Sequence, residues 1–293
     1  MQKPLIIHDP VHKTIILDEF EQMLLNTRHV QRLRNIQQLG LVDHVYPGAN
    51  HTRFEHSIGT MHMASVIGQS LSLEEEDIRR IRIAGLLHDV GHSAFSHAVE
   101  SVLKRNPQLQ PVVEDRKFIK HEAFSRDIIR MLPQDNFIAR YTESEFGTDP
   151  FYFFDEIANI ATGEACAISK PYLAQIIAGD VDADRIDFLL RDSYHTGVSF
   201  GLIDVDQIID SLIIKGGNVV LGSPEGSDYG NEMALTAAES MLISRAHHYT
   251  AVIHNPKTQA ARVMLLYALE DALERFRNVS GTEAAKDEVI RFF

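Results

Sequence analysis

The sequence has 293 residues, 44% of them hydrophobic and 24% charged, which is long enough for one large or two small domains and too apolar for a disordered chain. Its formal net charge of −13 creates a field that repels nucleic acid and anionic lipid, so we expect neither strong nucleic-acid binding nor membrane binding. The single cysteine excludes an internal disulfide, and no signal peptide or membrane-length apolar run is visible, so a cytoplasmic location is expected.

The spacing of apolar residues predicts an all-α fold with small β additions. Short apolar runs before and after the turn at residues 10–13 predict two strands. Helical spacing then follows over residues 18–39, 54–73, 74–87, 118–131, 171–176, 184–193, 232–250 and 258–278. Leu212–Lys215 and Val219–Leu221 flank a Gly-Gly-Asn turn and predict a β-hairpin.

One dipeptide is a candidate metal-binding pair. His88 and Asp89 end the apolar segment 83–87, where burying an imidazole and a carboxylate is costly unless both are paired. A divalent metal ion supplies such pairing. A mixed set of histidine and carboxylate ligands suits Mn, Fe, Ni, Co or Zn better than Ca or Mg. Because no cysteine lies nearby, a structural zinc knuckle is disfavoured.

Other elements are weak signals when each is taken alone. A single histidine such as His56 is more often packed or exposed than a metal ligand. The acid-rich run at residues 180–187 is usually a solvated face or the start of a helix. Their order along the chain carries more information. It runs Arg53-Phe54-Glu55-His56, His88-Asp89-Val90-Gly91-His92, Ser96-His97, His121 and Asp180-Val181-Asp182-Ala183-Asp184-Arg185.

This ordered series resembles the H…HD…D signature of the HD superfamily. Residues 9–12, 35–40, 46–57, 85–92, 95–97 and 182–192 further resemble its deoxynucleoside triphosphate (dNTP) triphosphohydrolase branch. The similarity extends over about residues 5–262. It implies a single HD phosphohydrolase domain over residues 1–293, with its core at about 50–200 and a helical extension at about 230–293. The uncapped end of the sequence suggests that the natural chain continues.

The resemblance also implies a role for individual residues. His56, His88, Asp89 and Asp184 would hold the metal ion. The phosphate side would be lined by His92, His97 and His121, with His121 next to the leaving oxygen and Glu100 orienting it. The triphosphate would be bound by Arg53, Arg185 and Arg245, and the sugar 3′-hydroxyl by Gln38 and Asp192.

Several positions depart from the family pattern, and Glu100 stands where relatives carry the aspartate that positions His121. Relatives often carry tyrosine where Phe188 and Ile253 stand, and the second tyrosine helps them to reject ribose. A weaker discrimination against ribonucleotides is therefore expected, unless Tyr249 fills the same space.

The resemblance predicts metal-dependent hydrolysis of dNTPs to a deoxynucleoside and triphosphate, with Mg²⁺ accompanying the nucleotide and assembly into a homo-oligomer. Such chemistry needs an activated water molecule, neutralisation of phosphate charge and a proton for the 5′-oxygen, which a transition metal, arginines and histidines supply. Two alternatives stay open: an HD phosphohydrolase acting on another nucleotide or phosphoester, and a non-catalytic nucleotide-binding regulator.

Overall fold

The computed structural model describes residues 3–291 apart from residues 114, 115, 118 and 224. The chain starts with a hairpin in which β1 (Leu5–Asp9) pairs antiparallel with β2 (Lys13–Leu17), as the sequence predicts. The turn is fixed by Asp9, whose carboxylate accepts hydrogen bonds from the backbone nitrogens of the two residues that follow Pro10.

The single helix predicted over residues 18–39 is wrong, because the chain breaks into α1 (Glu19–Leu25), α2 (Arg28–Gln31) and a 3₁₀ turn at Arg32–Asn35. The break lies at Thr27, which adopts an extended conformation and whose side chain accepts from the backbone nitrogen of Val30. A local cap thus overrides the helical spacing of the apolar residues. A second 3₁₀ turn, Gly40–His44, follows where the sequence predicts a stop.

Two packed helices form the centre of the molecule. Helix α3 (Arg53–Ser70) begins with a capping box between Thr52 and Glu55, and α4 (Glu75–Leu87) runs against it. Gly85 allows the close approach, because a Cβ atom there would lie only 3.0 Å from the Cα of Met61. The end of α4 is thereby held against the first half of α3.

The remaining elements surround this pair and agree with the predicted mainly helical class. They are α5 (His97–Arg105), β3 (Val112–Val113), β4 (Arg116–Lys117), α6 (His121–Met131), α7 (Asn136–Phe146), α8 (Pro150–Ala161), α9 (Pro171–Ala178), α10 (Ala183–Thr196), α11 (Val205–Asp210), β5 (Leu212–Lys215), β6 (Asn218–Leu221), α12 (Asp228–His248), α13 (Pro256–Ser280) and α14 (Thr282–Ile290). A π-helical segment, Tyr249–Ile253, joins α12 to α13. The predicted hairpin is confirmed, with Ile213 opposite Val220.

The main hydrophobic core lies between α3, α4, α8, α9 and α10, with Phe20, Phe153 and Phe154 fully buried in it. A smaller apolar cluster joins α5 to α13 and α14. Every helix in the described part of the chain is too short or too polar to cross a membrane.

Candidate active site

Three elements bring the predicted metal ligands together. His56 lies in the first turn of α3, His88 and Asp89 follow the last residue of α4, and Asp184 lies in the first turn of α10. The Nε2 atom of His56 is 3.0 Å from Oδ1 of Asp184, and Nε2 of His88 is 3.4 Å from Oδ1 of Asp89. The donor atoms of His56, His88 and Asp184 all lie within 4.8 Å of one another.

The chemistry of these donors fits a divalent cation. Nδ1 of His88 lies 2.8 Å from the carbonyl oxygen of Gly85, so Nδ1 carries a proton and, in the neutral ring, Nε2 carries the lone pair. That Nε2 atom is buried and has no hydrogen-bond partner among the residues that the structure describes. An unpaired ring nitrogen facing carboxylates is costly by itself, and a bound cation would satisfy it.

The pKa shifts of the predicted metal ligands also fit a site for a divalent cation. Burial opposes a charge on His56, but its hydrogen bonds with Asp184 and Asp187 prevail and raise its pKa to about 10. Burial also opposes ionisation of Asp89, yet His88, His92 and Arg53 hold the pKa of that carboxyl well below its usual range. A cation binding here must therefore displace the His56 proton and meets carboxylates that are already ionised.

A second cluster adjoins the first and consists of His92, His97, Glu100 and His121. The rings of His92 and His121 stack with centroids 3.7 Å apart, and Nδ1 of His121 lies 2.7 Å from Oε1 of Glu100. His97 approaches the other Glu100 oxygen at 3.3 Å. Nε2 of His121 is 4.0 Å from Oδ1 of Asp89, which places the cluster beside the predicted metal ligands.

Gly91 makes this adjacency possible. A Cβ atom there would lie 2.2 Å from the backbone nitrogen of Ser125 and 2.4 Å from the carbonyl oxygen of His121. The turn after Asp89 can therefore press against the start of α6, where the backbone nitrogen of Gly91 donates to Ser125 Oγ. This contact brings His121 to the ring of His92.

The two stacked histidines have opposite electrostatic preferences. Burial and the nearby Arg53 charge hold the pKa of His92 well below its ordinary value. For His121 burial also disfavours the charge, but the hydrogen bond with Glu100 prevails and raises its pKa. Despite its burial, Glu100 has a lowered pKa because it accepts hydrogen bonds from His121 and His97. His121 is thus the ring suited to carry a proton, and His92 stays neutral.

One cavity of about 750 Å³ joins both clusters, within the usual range for a small-molecule site. The metal end and the histidine cluster contribute His56, Asp89, Asp184, His92, His97 and His121. Arg53 lies between them and donates to Asp89 Oδ2 at 2.6 Å and to Ser96 Oγ at 2.9 Å. Farther along, the wall is formed by residues 37–42, by the π-helical segment and by one face of α13.

Residues 53–191 match the family model described as HD domain. This part of the chain is an HD domain. The match begins at Arg53 and spans every predicted metal ligand. The HD domain therefore contains both clusters described above, while the π-helical segment and α13 follow it.

The chain is similar in sequence to known proteins, some of which are named after an enzymatic activity. An uncharacterized protein of Methanocaldococcus jannaschii is 38% identical over 266 residues, which are 90% of this chain and 49% of that one. A deoxynucleoside triphosphate triphosphohydrolase homologue of Dictyostelium discoideum is 31% identical over 223 residues, covering 71% of this chain and 40% of its own length. The chain thus spans about half the length of these relatives or less.

A similar solved structure is that of a phosphohydrolase from Bacteroides thetaiotaomicron. It has a TM-score of 0.75 and 28% sequence identity, and the match covers 94% of this chain and 60% of that one.

The predicted substrate residues are only partly gathered around the HD-domain cavity. Gln38, Arg53, Asp192 and Tyr249 line it, and Asp192 is held by two buried histidines, as its oxygens lie 2.7 Å from His51 Nε2 and 3.0 Å from His248 Nε2. The two other predicted arginines do not line it. Arg185 instead lies 2.5 Å from Oδ2 of Asp182, and Arg245 stacks on the Tyr249 ring with its guanidinium 5.3 Å from the centroid.

Four residues near the site did not emerge from the sequence as site residues, namely His51, Asp187, His248 and Arg262. Asp187 lies one helical turn after Asp184, so helical spacing could have indicated it. Arg262 lies on the cavity face of α13, and only the fold brings that face to the HD core.

Proposed function

We propose that this HD-domain protein is a metal-dependent phosphohydrolase that cleaves dNTPs to a deoxynucleoside and triphosphate. The carrying observation is that one cavity is lined by three of the four predicted metal ligands, by His121, which is paired with Glu100, and by arginine and sugar-binding candidates. The similarity to a dNTP triphosphohydrolase over 71% of this chain supports the substrate class.

In this proposal His56, His88, Asp89 and Asp184 hold a transition-metal ion chosen from Mn, Fe, Ni, Co and Zn. When bound, such an ion supplies a Lewis acid that polarises a phosphoryl oxygen and makes water more acidic. Arg53 faces the same space and holds Asp89 in place through its 2.6 Å contact. Its remaining donors suit an oxygen of the triphosphate.

The histidine cluster supplies the proton for the leaving group. The oxygen of water forms a bond to the α-phosphorus and releases a proton to solvent, the bond from phosphorus to the 5′-oxygen breaks, and the proton on His121 passes to that oxygen. A proton taken up from solvent then restores His121. Glu100 orients the ring and favours its charged form through the 2.7 Å contact. His92, whose pKa is lowered, stacks on the ring as a neutral neighbour, and His97 contacts the second oxygen of Glu100.

The far part of the cavity would bind the nucleoside and the outer phosphates. Gln38 and Asp192 are the candidates for the 3′-hydroxyl, and His51 and His248 fix the carboxylate of Asp192. Arg262 replaces Arg185 and Arg245 as the second cavity arginine, and among the described residues its side chain donates to Ser101 Oγ at 3.5 Å. A guanidinium with free donors in a cavity suits phosphate oxygens.

The test is incubation of the purified protein with each dNTP and NTP in the presence of Mn²⁺, Mg²⁺, Co²⁺ or Ni²⁺, with chromatographic separation of products. We expect deoxynucleoside and inorganic triphosphate in equal amounts. Stepwise release of phosphate would favour an HD phosphohydrolase with another substrate. Nucleotide binding without any turnover would favour a regulator. The His88→Ala variant is the control for contaminating phosphatases.

A further inference from the structure

A buried network of charged side chains lies behind the metal centre. The carboxylate of Asp187 has no solvent exposure, and both its oxygens are occupied. Oδ1 lies 2.6 Å from Nε2 of His12 and 2.9 Å from Nη2 of Arg191. Oδ2 lies 3.0 Å from Nε of Arg191 and 2.7 Å from Nδ1 of the presumed metal ligand His56.

The network also reaches the first turn of the chain. Nη1 of the fully buried Arg191 donates to Oδ2 of Asp9 at 2.8 Å. Asp9 is the last residue of β1 and His12 lies in the turn that follows, and neither has a role in the proposed reaction. Burying these charges is costly, and breaking such a pair leaves an unpaired buried charge, so the fold keeps the group intact.

The geometry specifies which nitrogen of His56 carries a proton. An ionised carboxylate only accepts hydrogen bonds, so the 2.7 Å contact with Asp187 requires a proton on Nδ1. In the neutral ring the lone pair is then on Nε2, which faces the metal centre 3.0 Å from Oδ1 of Asp184. The same contact fixes the plane of the ring.

Helix α3 makes room for this arrangement with a glycine. A Cβ atom at Gly59 would lie 1.9 Å from Oδ1 of Asp187 and 2.3 Å from Nη2 of Arg191. Any other residue at this position would push the carboxylate and the guanidinium away from His56. Helix α3 therefore carries His56 and, at Gly59, also leaves room for the Asp187 carboxylate that contacts it.

We propose that Asp187 is a positioning residue that fixes the tautomer and the ring orientation of His56 for metal binding, and that Asp9, His12 and Arg191 hold it in place. Groups that hold the second nitrogen of a ligating histidine typically contribute 10- to 100-fold in metal affinity. This assignment concerns the metal centre and is independent of which substrate the enzyme hydrolyses.

The first test measures the affinity of the Asp187→Asn variant for Zn²⁺ and Mn²⁺ by competition with a chelator, without substrate. We expect a loss of about 10- to 100-fold relative to the wild-type protein. The matched control is Asp77→Asn, which removes another buried carboxylate, one that contacts Lys170 and Tyr172 rather than a presumed ligand. An affinity loss no larger than that of the control would overturn the proposal.

A second measurement observes the wild-type protein and does not depend on a variant of Asp187. In Zn²⁺-loaded wild-type protein with ¹⁵N-labelled histidine, the His56 signals, assigned by their loss in His56→Gln, should show a protonated Nδ1 and a metal-bound Nε2. A metal-bound or unprotonated Nδ1 would exclude the proposed role. Neither test uses a nucleotide, so the results of both are independent of whether dNTPs are substrates.

Discussion

The two ends of the cavity differ in how they are held. At the metal end, His56, His88 and Asp89 are 1%, 8% and 3% exposed, and each has partners on other parts of the core. At the far end, Tyr249, Ile253 and Arg262 are only partly buried and lie on a π-helical segment and on α13. The two ends therefore differ in burial and in the number of side-chain partners that hold their residues in place.

The surroundings of the far end strengthen this contrast. Helices α12 and α13, which flank the π-helical segment, carry exposed apolar side chains, among them Leu235 and Met264 at 60% and 72%. We therefore expect substitutions at the metal end to abolish chemistry, and those at the far end to change KM and selectivity.

The largest effect is expected for His88→Ala. This change removes the ring nitrogen that lacks a hydrogen-bond partner within the described part of the chain, so metal and activity should be lost together. Metal content by elemental analysis and turnover of a dNTP are the two measurements. A variant that keeps its metal or its activity would show that His88 is not a ligand.

The next effect concerns His121, the proposed acid. Its replacement by alanine should lower kcat by roughly 10²-fold or more, because the leaving 5′-oxygen loses its proton donor. Metal content should stay at the wild-type value, in contrast to His88→Ala. If kcat stays near normal, another residue is the acid, and His97 is the next candidate.

A pH profile separates the roles of His121 and Glu100. The hydrogen bond with Glu100 raises the pKa of His121 against the effect of burial, so the acid form persists to higher pH. Activity should fall as the pH rises through that pKa. In Glu100→Gln the pKa of His121 falls, and the alkaline limb of kcat should move to lower pH while metal content is unchanged. An unmoved limb would assign it to another group.

The sequence predicts the metal end better than the far end because the metal end depends on local signals. His88 and Asp89 end an apolar helix, and burial there requires partners that a short motif can reveal. The sequence analysis did not predict the break at Thr27, because a local cap there competes with the helical spacing of apolar residues. It also did not predict helices α7 and α8, and much of α8 is uniformly apolar and shows no helical periodicity.

Arg185 shows the limit of residue-by-residue transfer. In sequence it follows Asp184 directly and fits a phosphate-binding role, but Asp182 forms the N-cap of α10 and also binds the Arg185 side chain. Arg262 lies far along the chain and reaches the cavity only through the packing of α13 beside α5. Which arginine lines the cavity is therefore decided by tertiary structure and not by its distance from Asp184 along the sequence.

A smaller effect is expected for Arg262→Gln at the far end. Loss of a charge-assisted hydrogen bond to phosphate should raise KM about 10-fold and leave kcat nearly unchanged. Arg275→Gln is the matched control, since Arg275 lies on the same helix with its side chain 79% exposed. A drop in kcat without a change in KM would place Arg262 among the groups that act in the chemical step.

The smallest effect concerns discrimination between deoxyribose and ribose. Tyr249 and Ile253 both line the cavity from the π-helical segment, and the second stands where relatives often carry tyrosine. The aliphatic side chain leaves more space beside the sugar, so wild-type kcat/KM for dATP and ATP should be similar. Ile253→Tyr should raise the preference for dATP by roughly 10-fold, since a filled pocket excludes the extra hydroxyl. Tyr249→Leu tests the competing arrangement. If the wild-type protein is strictly selective and Tyr249→Leu removes that selectivity, Tyr249 occupies the space and the effect assigned to Ile253 is wrong.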